Sequence, residues 1–171
     1  ILKINELPKI VTFFVGIPYL LNMQISAEQL ASSTYLAMAS WCDQNGFVNA
    51  TKYFYAQAEE EREHMMKIFT FVNDNGGAAV SPQVTAELPT EFSSLKEVYT
   101  SSLHLEISVT KKIYSVVQKA RSVGDYASET FLQWFVTEQM EEEKSLRDIL
   151  EIFELMEGMP LKMIDERLPK E

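Results

Sequence analysis

Two short runs decide how this chain is read: Glu60-Glu61-Arg62-Glu63-His64 and Gln139-Met140-Glu141-Glu142-Glu143. Both lie in sequence of helical period, and both set metal-ligating side chains where a helix needs apolar ones. Glu61 and His64 are three apart, as are Gln139 and Glu142, and residues three apart share a helix face. A lone glutamate precedes each pair at the same distance: Glu28 stands 33 residues before Glu61, and Glu106 stands 33 before Gln139. A shift of 78 carries Glu28, Glu61 and His64 onto Glu106, Gln139 and Glu142. One constellation therefore occurs twice, with Gln-x-x-Glu replacing Glu-x-x-His in the second copy.

The surrounding periodicity predicts the helices that carry these residues. A first helix runs from near Pro18 to near Gly46, with the stripe Leu21, Ile25, Glu28, Ser32, Tyr35, Ala39 and Cys42. A second runs from about Phe47 to Asn75, where Gly76-Gly77 stops it; its stripe holds Phe54, Gln57, Glu61, His64 and Ile68. The connection between them is short, so they are expected to be antiparallel neighbours. Residues 77–93 carry Gly77, Pro82 and Pro89 among small and polar residues, which predicts a crossover along the bundle. A third helix, about Ser94 to Ser122, has Tyr99, Ser102, Glu106 and Val109 on its stripe. A fourth, Tyr126 to about Glu157, follows an Asp125 N-cap and carries Phe135, Gln139, Glu142 and Leu146. Leu161–Leu168 makes a short fifth. The fold class is all-α: a four-helix up-down bundle with a long crossover between the second and third helices and a short fifth C-terminal helix.

Composition bounds the rest. The 171 residues, 46% hydrophobic, suffice for one domain with a full core. The net charge of −10 excludes nucleic acid as a natural partner, because phosphate contacts need a basic surface; an acidic surface concentrates cations or simply keeps a protein in solution. The single Cys42 rules out an intrachain disulfide and fits a reducing, cytoplasmic location. The apolar run Ile10–Leu21, preceded by Lys3 and Lys9, has signal-peptide length and is too short to span a bilayer as a helix. Glu6 interrupts its basic flank, no small-x-small site follows, and the run flows into the first helix. Residues 1–18 are expected to be an N-terminal extension packed on the fold or on a neighbouring subunit, residues 19–171 the bundle domain, and no membrane span is expected.

Taken singly, each polar residue has a bland reading: a core histidine, a carboxylate at a bundle end, a packed tyrosine at Tyr35, a solvated face at Glu141 and Glu143. Trp134, beside Phe131 and Phe135, reads as packing. Six polar groups on four apolar stripes are another matter, because burying an unpaired carboxylate costs several kcal/mol. Buried Lys or Arg would compensate, but the stripes contain none, which leaves a bound metal pair. Oxygen donors with one imidazole suit Fe(II), Fe(III) or Mn(II) better than Cu(I) or structural zinc, and the lack of cysteine ligands argues against an iron–sulfur cluster.

The same residues resemble the bacterial non-haem ferritins, over roughly Leu21 to Leu168. The resemblance is carried by Tyr35-Leu-Ala-Met-Ala-Ser-Trp-Cys42, Glu59-Glu-Glu-Arg-Glu-His64, Phe131-Leu-Gln-Trp-Phe-Val-Thr-Glu-Gln-Met-Glu-Glu-Glu-Lys144 and Met163-Ile-Asp-Glu-Arg-Leu168. A glutamate from each of two helices and a Glu-x-x-His from each of the others is the di-metal pattern of that fold; Gln139-x-x-Glu142 departs from it. The resemblance implies a hollow shell of twenty-four like subunits that oxidises Fe(II) with O2 or H2O2 and stores the ferric product. It implies that Glu28 and His64 hold the first iron, that Glu61 bridges, that Glu106 and Glu142 hold the second with Gln139 near it, and that Tyr35 hydrogen-bonds a site carboxylate and can donate an electron. Glu60, Glu138 and Glu141, with Glu142, match a further iron site of bacterial members. Glu129 falls near the family's three-fold channel, where it would admit iron, or is an ordinary helix-start acid. A haem-binding relative would carry a methionine between the helical Glu and His, where Arg62 and Glu63 stand, so no haem is expected. Against iron storage stand a non-storage di-metal bundle and a structural or interaction bundle without catalysis.

Overall fold

The computed structural model describes residues 13–170, and every regular element among them is helical: α1 (Ile17–Gln44), α2 (Val48–Asp74), α3 (Leu95–Val123), α4 (Tyr126–Leu155) and the short α5 (Leu161–Asp165). Each long helix lies within about two residues of its expected bounds. α1 begins at Ile17, which is fully buried, just inside the stretch assigned to the extension. Residues 1–12 lie outside the described residues; next to them, Phe13 sets its ring edge against Phe71 of α2, with centroids 5.7 Å apart.

The ends of the helices fix the topology. Trp41 near the end of α1 meets Phe92 just before α3, Lys96 at the start of α3 meets Glu154 near the end of α4, and Asp165 of α5 meets the first turn of α2. One end of the bundle therefore collects the end of α1, the starts of α2 and α3 and the end of α4. α2 runs away from that end and α3 starts there, so residues 75–94 return along the length of the bundle and leave α2 and α3 parallel. α1 packs on α2, α3 on α4, and α1 on α3.

Local chemistry sets the boundaries. The Ser94 hydroxyl accepts the Glu97 amide at 3.2 Å, capping α3, while the Glu97 carboxylate reaches back to the Ser93 amide. α3 ends at Gly124, whose φ of 76° is the left-handed conformation that spares a glycine the Cβ clash. Asp125, almost fully buried, starts α4 by accepting the Ser128 amide at 3.0 Å and the Ser128 hydroxyl at 2.9 Å.

The apolar stripes build two cores, not one. Tyr35, Met38, Phe54, Tyr99, Leu146 and Phe153 fill the end that holds α5. Ile17, Leu21, Ile25, Ile68, Ile113 and Phe135 fill the other. Each such side chain contributes about 1.5–3 kcal/mol of burial. Between the cores lies a polar layer one to two turns thick, with Glu28, Glu61, His64, Glu106, Gln139 and Glu142 all buried in it.

Candidate metal centre

The stripes that make the cores also aim the layer between them inward. Glu28 follows Ile25 on α1, Glu61 and His64 precede Ile68 on α2, and each lies on the face its apolar neighbours bury. Ligand atoms of Glu28, Glu61 and His64 lie within 4.8 Å of one another. His64 Nδ1 is 3.6 Å from Glu61 Oε2. Both Glu61 oxygens and Glu28 Oε2 are buried and accept from no other group among the described residues, beyond a proton that the two carboxyls can share between them. Three orphaned carboxylate oxygens beside an imidazole are costly in an apo protein and are the donor set a divalent cation satisfies.

The other half of the layer is better satisfied. Tyr35, fully buried, donates its hydroxyl hydrogen to Glu106 Oε1 and accepts from Ser102 Oγ at 3.1 Å. Gln139 Nε2 donates to Glu106 Oε2 at 2.9 Å, and it also lies 3.2 Å from Thr110 Oγ1. Gln139 thus meets the layer through its nitrogen, which holds Glu106 and cannot itself bind a metal. Glu142 stands on the same face of α4, one turn further on, and is buried.

Charge crowding shows in the protonation of the layer. Burial, then the Glu61 charge, holds the Glu28 carboxyl well above the usual range. Burial and the Glu106 charge do the same to Glu61. Burial raises Glu106 too, though less freely, because Tyr35 and Gln139 donate to it. Glu142 is pushed up to about 8 by burial and by the charges of Glu106 and Glu60. Burial and Glu106 push the Tyr35 phenol upward as well. Four carboxyls that resist ionisation together are poised to trade protons for cations.

A ferritin-like domain profile matches residues 19–156. The chain belongs to the ferritin family. It is 40% identical over 151 residues to a probable bacterial non-heme ferritin-like protein of Haemophilus influenzae, spanning 87% of this chain and 91% of that one. It is 41% identical over 123 residues to a bacterial non-heme ferritin of Staphylococcus aureus, spanning 72% of this chain and 74% of the relative. An open pore ferritin from the hyperthermophilic archaeon Archaeoglobus fulgidus superposes with a TM-score of 0.87 at 35% identity, covering 92% of this chain and 97% of the other.

The remaining residues singled out in this ferritin's sequence are placed as follows. Glu60 is half-buried, accepts from Gln57 Nε2 at 2.9 Å and, with Glu138, bears on the Glu142 carboxyl. Glu141 is exposed and lines a separate groove with Lys144, Ser145 and Asp148. Glu129, in the first turn of α4, is paired with Arg121, whose Nε and Nη2 donate to its Oε1 at 2.8 and 2.7 Å. Trp134 sets its ring edge-on to His64, centroids 5.3 Å apart, and carries Lys67 Nζ 3.9 Å above it, so packing is its visible role.

Sequence reasoning missed the partners. Gln24 donates to Glu28 Oε1 at 2.8 Å, Thr110 meets Gln139, and Ser102 meets Tyr35. Gln24 and Thr110 each lie four residues, one helical turn, from a lone glutamate of the repeat. A polar residue one turn from a buried carboxylate was the signal available.

Proposed function

We propose that this chain is an iron-storage ferritin that oxidises Fe(II) at the polar layer and holds the ferric product inside a shell of twenty-four copies. The observation that carries the reading is the cluster of Glu28, Glu61 and His64, with both Glu61 oxygens buried and unpartnered. In this reading Glu28 and His64 bind the first substrate iron, Glu61 bridges, and Glu106 with Glu142 binds the second, while Gln139 and Tyr35 fix the Glu106 carboxylate. Hard oxygen donors favour Fe(III) over Fe(II). Two adjacent Fe(II) each lose one electron; O2 takes both with two protons and leaves as H2O2, or H2O2 takes both with two protons and leaves as two waters. Protons displaced from the carboxyls when iron binds are a ready local supply. Glu60, Glu138 and Glu141, with Glu142, are the further iron site, and Glu129 the candidate for admitting iron.

In this reading residues 19–171 are the iron-handling domain and residues 1–18 an extension to it whose last two residues open α1, in the cytoplasm. No helix among the described residues is long and apolar enough to cross a membrane. Anaerobic titration with Fe(II) followed by mixing with O2 or H2O2 tests the reading: two sites per chain and rapid oxidation are expected, with a closed shell in light scattering. Metal binding without oxidation turns the reading to a non-storage di-metal bundle, and no binding turns it to a structural bundle.

A further inference from the structure

Two grooves flank the polar layer, and they differ in chemistry. On the α2/α4 face a groove of about 670 Å3 reaches His64 past Glu60, Glu63, Lys67 and Asp74. On the α1/α3 face a groove of about 260 Å3 has an apolar wall on the α1 side, Leu20, Met23, Ala27 and Leu30, and Gln24 lines it too. The charged side chain along that second groove is Lys112 of α3, and Ser26 of α1 and Ser115 of α3 also line it.

Gln24 separates the α1/α3 groove from the centre. It is 1% exposed, and its Nε2 donates to Glu28 Oε1 at 2.8 Å. Its Oε1 is buried and accepts from nothing. One amide thus touches a proposed iron ligand on one side and lines an apolar channel on the other. An apolar groove with a lysine along it repels Fe(II), whereas the α2/α4 groove offers a cation three carboxylates. Apolar O2 passes along an apolar wall without a desolvation penalty, and H2O2, which does pay one, recovers part of it at the unpartnered Gln24 Oε1. Passage from this groove to Glu28 requires the buried Gln24 side chain to change rotamer.

We propose that the α1/α3 groove is the passage by which the small neutral oxidant reaches the centre, with the Gln24 side chain as its gate; this rests on the oxidation reading above. The two oxidants share this chemistry, O2 by apolar transfer and H2O2 with an added hydrogen bond to Gln24.

The test closes the mouth without touching the proposed ligands. Ser26 and Ser115 are exposed, so Ser26→Trp and Ser115→Trp, together and singly, cover the groove from the surface. In the assembled protein, stopped-flow Fe(II) oxidation is followed at varied O2 and, separately, at varied H2O2. The oxidant concentration giving half-maximal rate is expected to rise threefold or more in the double variant, with anaerobic Co(II) titration unchanged. A rise with one oxidant alone assigns the passage to that oxidant. Thr70→Trp, which covers the α2/α4 groove instead, is expected to leave the oxidant dependence as it was. Crystals under xenon pressure add a readout independent of turnover, since apolar cavities bind xenon: xenon is expected against Ala27 and Leu30 in the parent and gone in the double variant. Oxidant dependence equal in parent and double variant, or a parent groove that takes no xenon, overturns the proposal. A parent that binds Co(II), takes xenon in the groove and oxidises no Fe(II) overturns the oxidation reading instead.

Discussion

Tyr35 on α1 donates its hydroxyl hydrogen to the Glu106 carboxylate on α3, joining two helices across the centre of the layer. Tyr35→Phe keeps the ring, stacked on Phe54 with centroids 5.9 Å apart, and removes only the donor. Glu106 keeps Gln139 and loses its other partner. The expected cost to the metal-free protein is about 1–3 kcal/mol, measured by chemical denaturation. Metal binding at Glu106 and Glu142 is expected to weaken severalfold while the Glu28–His64 position is unchanged; equal weakening of both positions would mean that Tyr35 supports the whole layer and not Glu106 in particular.

Glu61 presents the opposite case, because no described residue other than Glu28 donates to it. Its two oxygens are buried and otherwise unpartnered, and burial together with Glu106 disfavours its ionised form. Glu61→Gln replaces this ionisable group by a neutral one of nearly the same shape. The variant is expected to be more stable than the parent in the metal-free state at pH 8, by about 1 kcal/mol or more, and to lose rapid Fe(II) oxidation. Thermal melts in the presence of chelator check the first half and stopped-flow the second. A variant that is less stable and still oxidises iron would remove Glu61 from the bridge.

Stability of the metal-free protein should follow pH with a definite sign. The carboxyls of Glu28, Glu61, Glu106 and Glu142 all lie above their unfolded values, with Glu142 at about 8. A group raised in this way stabilises the fold fully below the unfolded carboxyl pKa, near 4.3, and that contribution is lost as pH rises through the folded value. Between about pH 5 and 8 stability is therefore expected to fall with rising pH, by up to about 1.4 kcal/mol per unit for each titrating group. Urea denaturation with chelator present measures this. Glu142→Gln is expected to flatten the upper part of the curve; an unaltered slope would place the dependence in the surface charge instead.

Much of this was legible because a helix exposes its burial pattern in its spacing. Leu21, Ile25, Glu28, Ser32 and Tyr35 form one stripe whether or not the structure is known, and glutamates on such a stripe demand compensation. What the spacing could not supply is the identity of neighbours across helices. Nothing in the sequence turns the nitrogen of Gln139 toward Glu106, pairs Arg121 with Glu129, or sets Gln24 between Glu28 and a groove. Those relations depend on the rotation and depth at which separate helices meet. The parallel course of α2 and α3 likewise depends on where the crossover delivers the chain.

The pairing of Glu129 bears on how iron gets in. Arg121 neutralises the carboxylate that would otherwise attract a cation. Exposed pairs of this kind contribute about 1 kcal/mol or less, so Glu129→Ala is expected to leave the melting temperature nearly unchanged. Removing the carboxylate leaves the Arg121 charge unpaired, and an unpaired cation repels Fe(II), so as the proposed point of admission Glu129→Ala is expected to slow the oxidation of limiting Fe(II), with zinc lost from a three-fold axis in soaked crystals. A parental rate at limiting Fe(II), with zinc on that axis in neither protein, would leave Glu129 as an acid at the start of α4 and nothing more.

The N-cap of α2 is Phe47, a residue with no side chain able to cap a helix. The first amide hydrogens of a helix need acceptors, and leaving them buried without one is costly. The acceptor comes from the far end of the chain: Asp165 of α5, 4% exposed, takes the Asn49 amide on Oδ2 at 3.1 Å and the Ala50 amide on Oδ1 at 2.9 Å. Asn49 returns a bond to the Leu168 carbonyl at 3.1 Å. A carboxylate at a helix N-terminus also meets the positive end of the helix dipole. α5 is therefore held to the bundle by a cap that α2 lacks in its own sequence. Asp165→Ala is expected to destabilise the protein by about 2 kcal/mol, at the upper end of cap losses because the site is buried and charged. Asp165→Asn keeps one acceptor oxygen and should recover part of that loss. Limited proteolysis reads the structural consequence: cleavage near Gly158, between α4 and α5, is expected to speed up in the alanine variant and less so in the asparagine variant. Equal cleavage in all three proteins would mean that Ile164 and Leu168, both buried against the bundle, hold α5 without the cap.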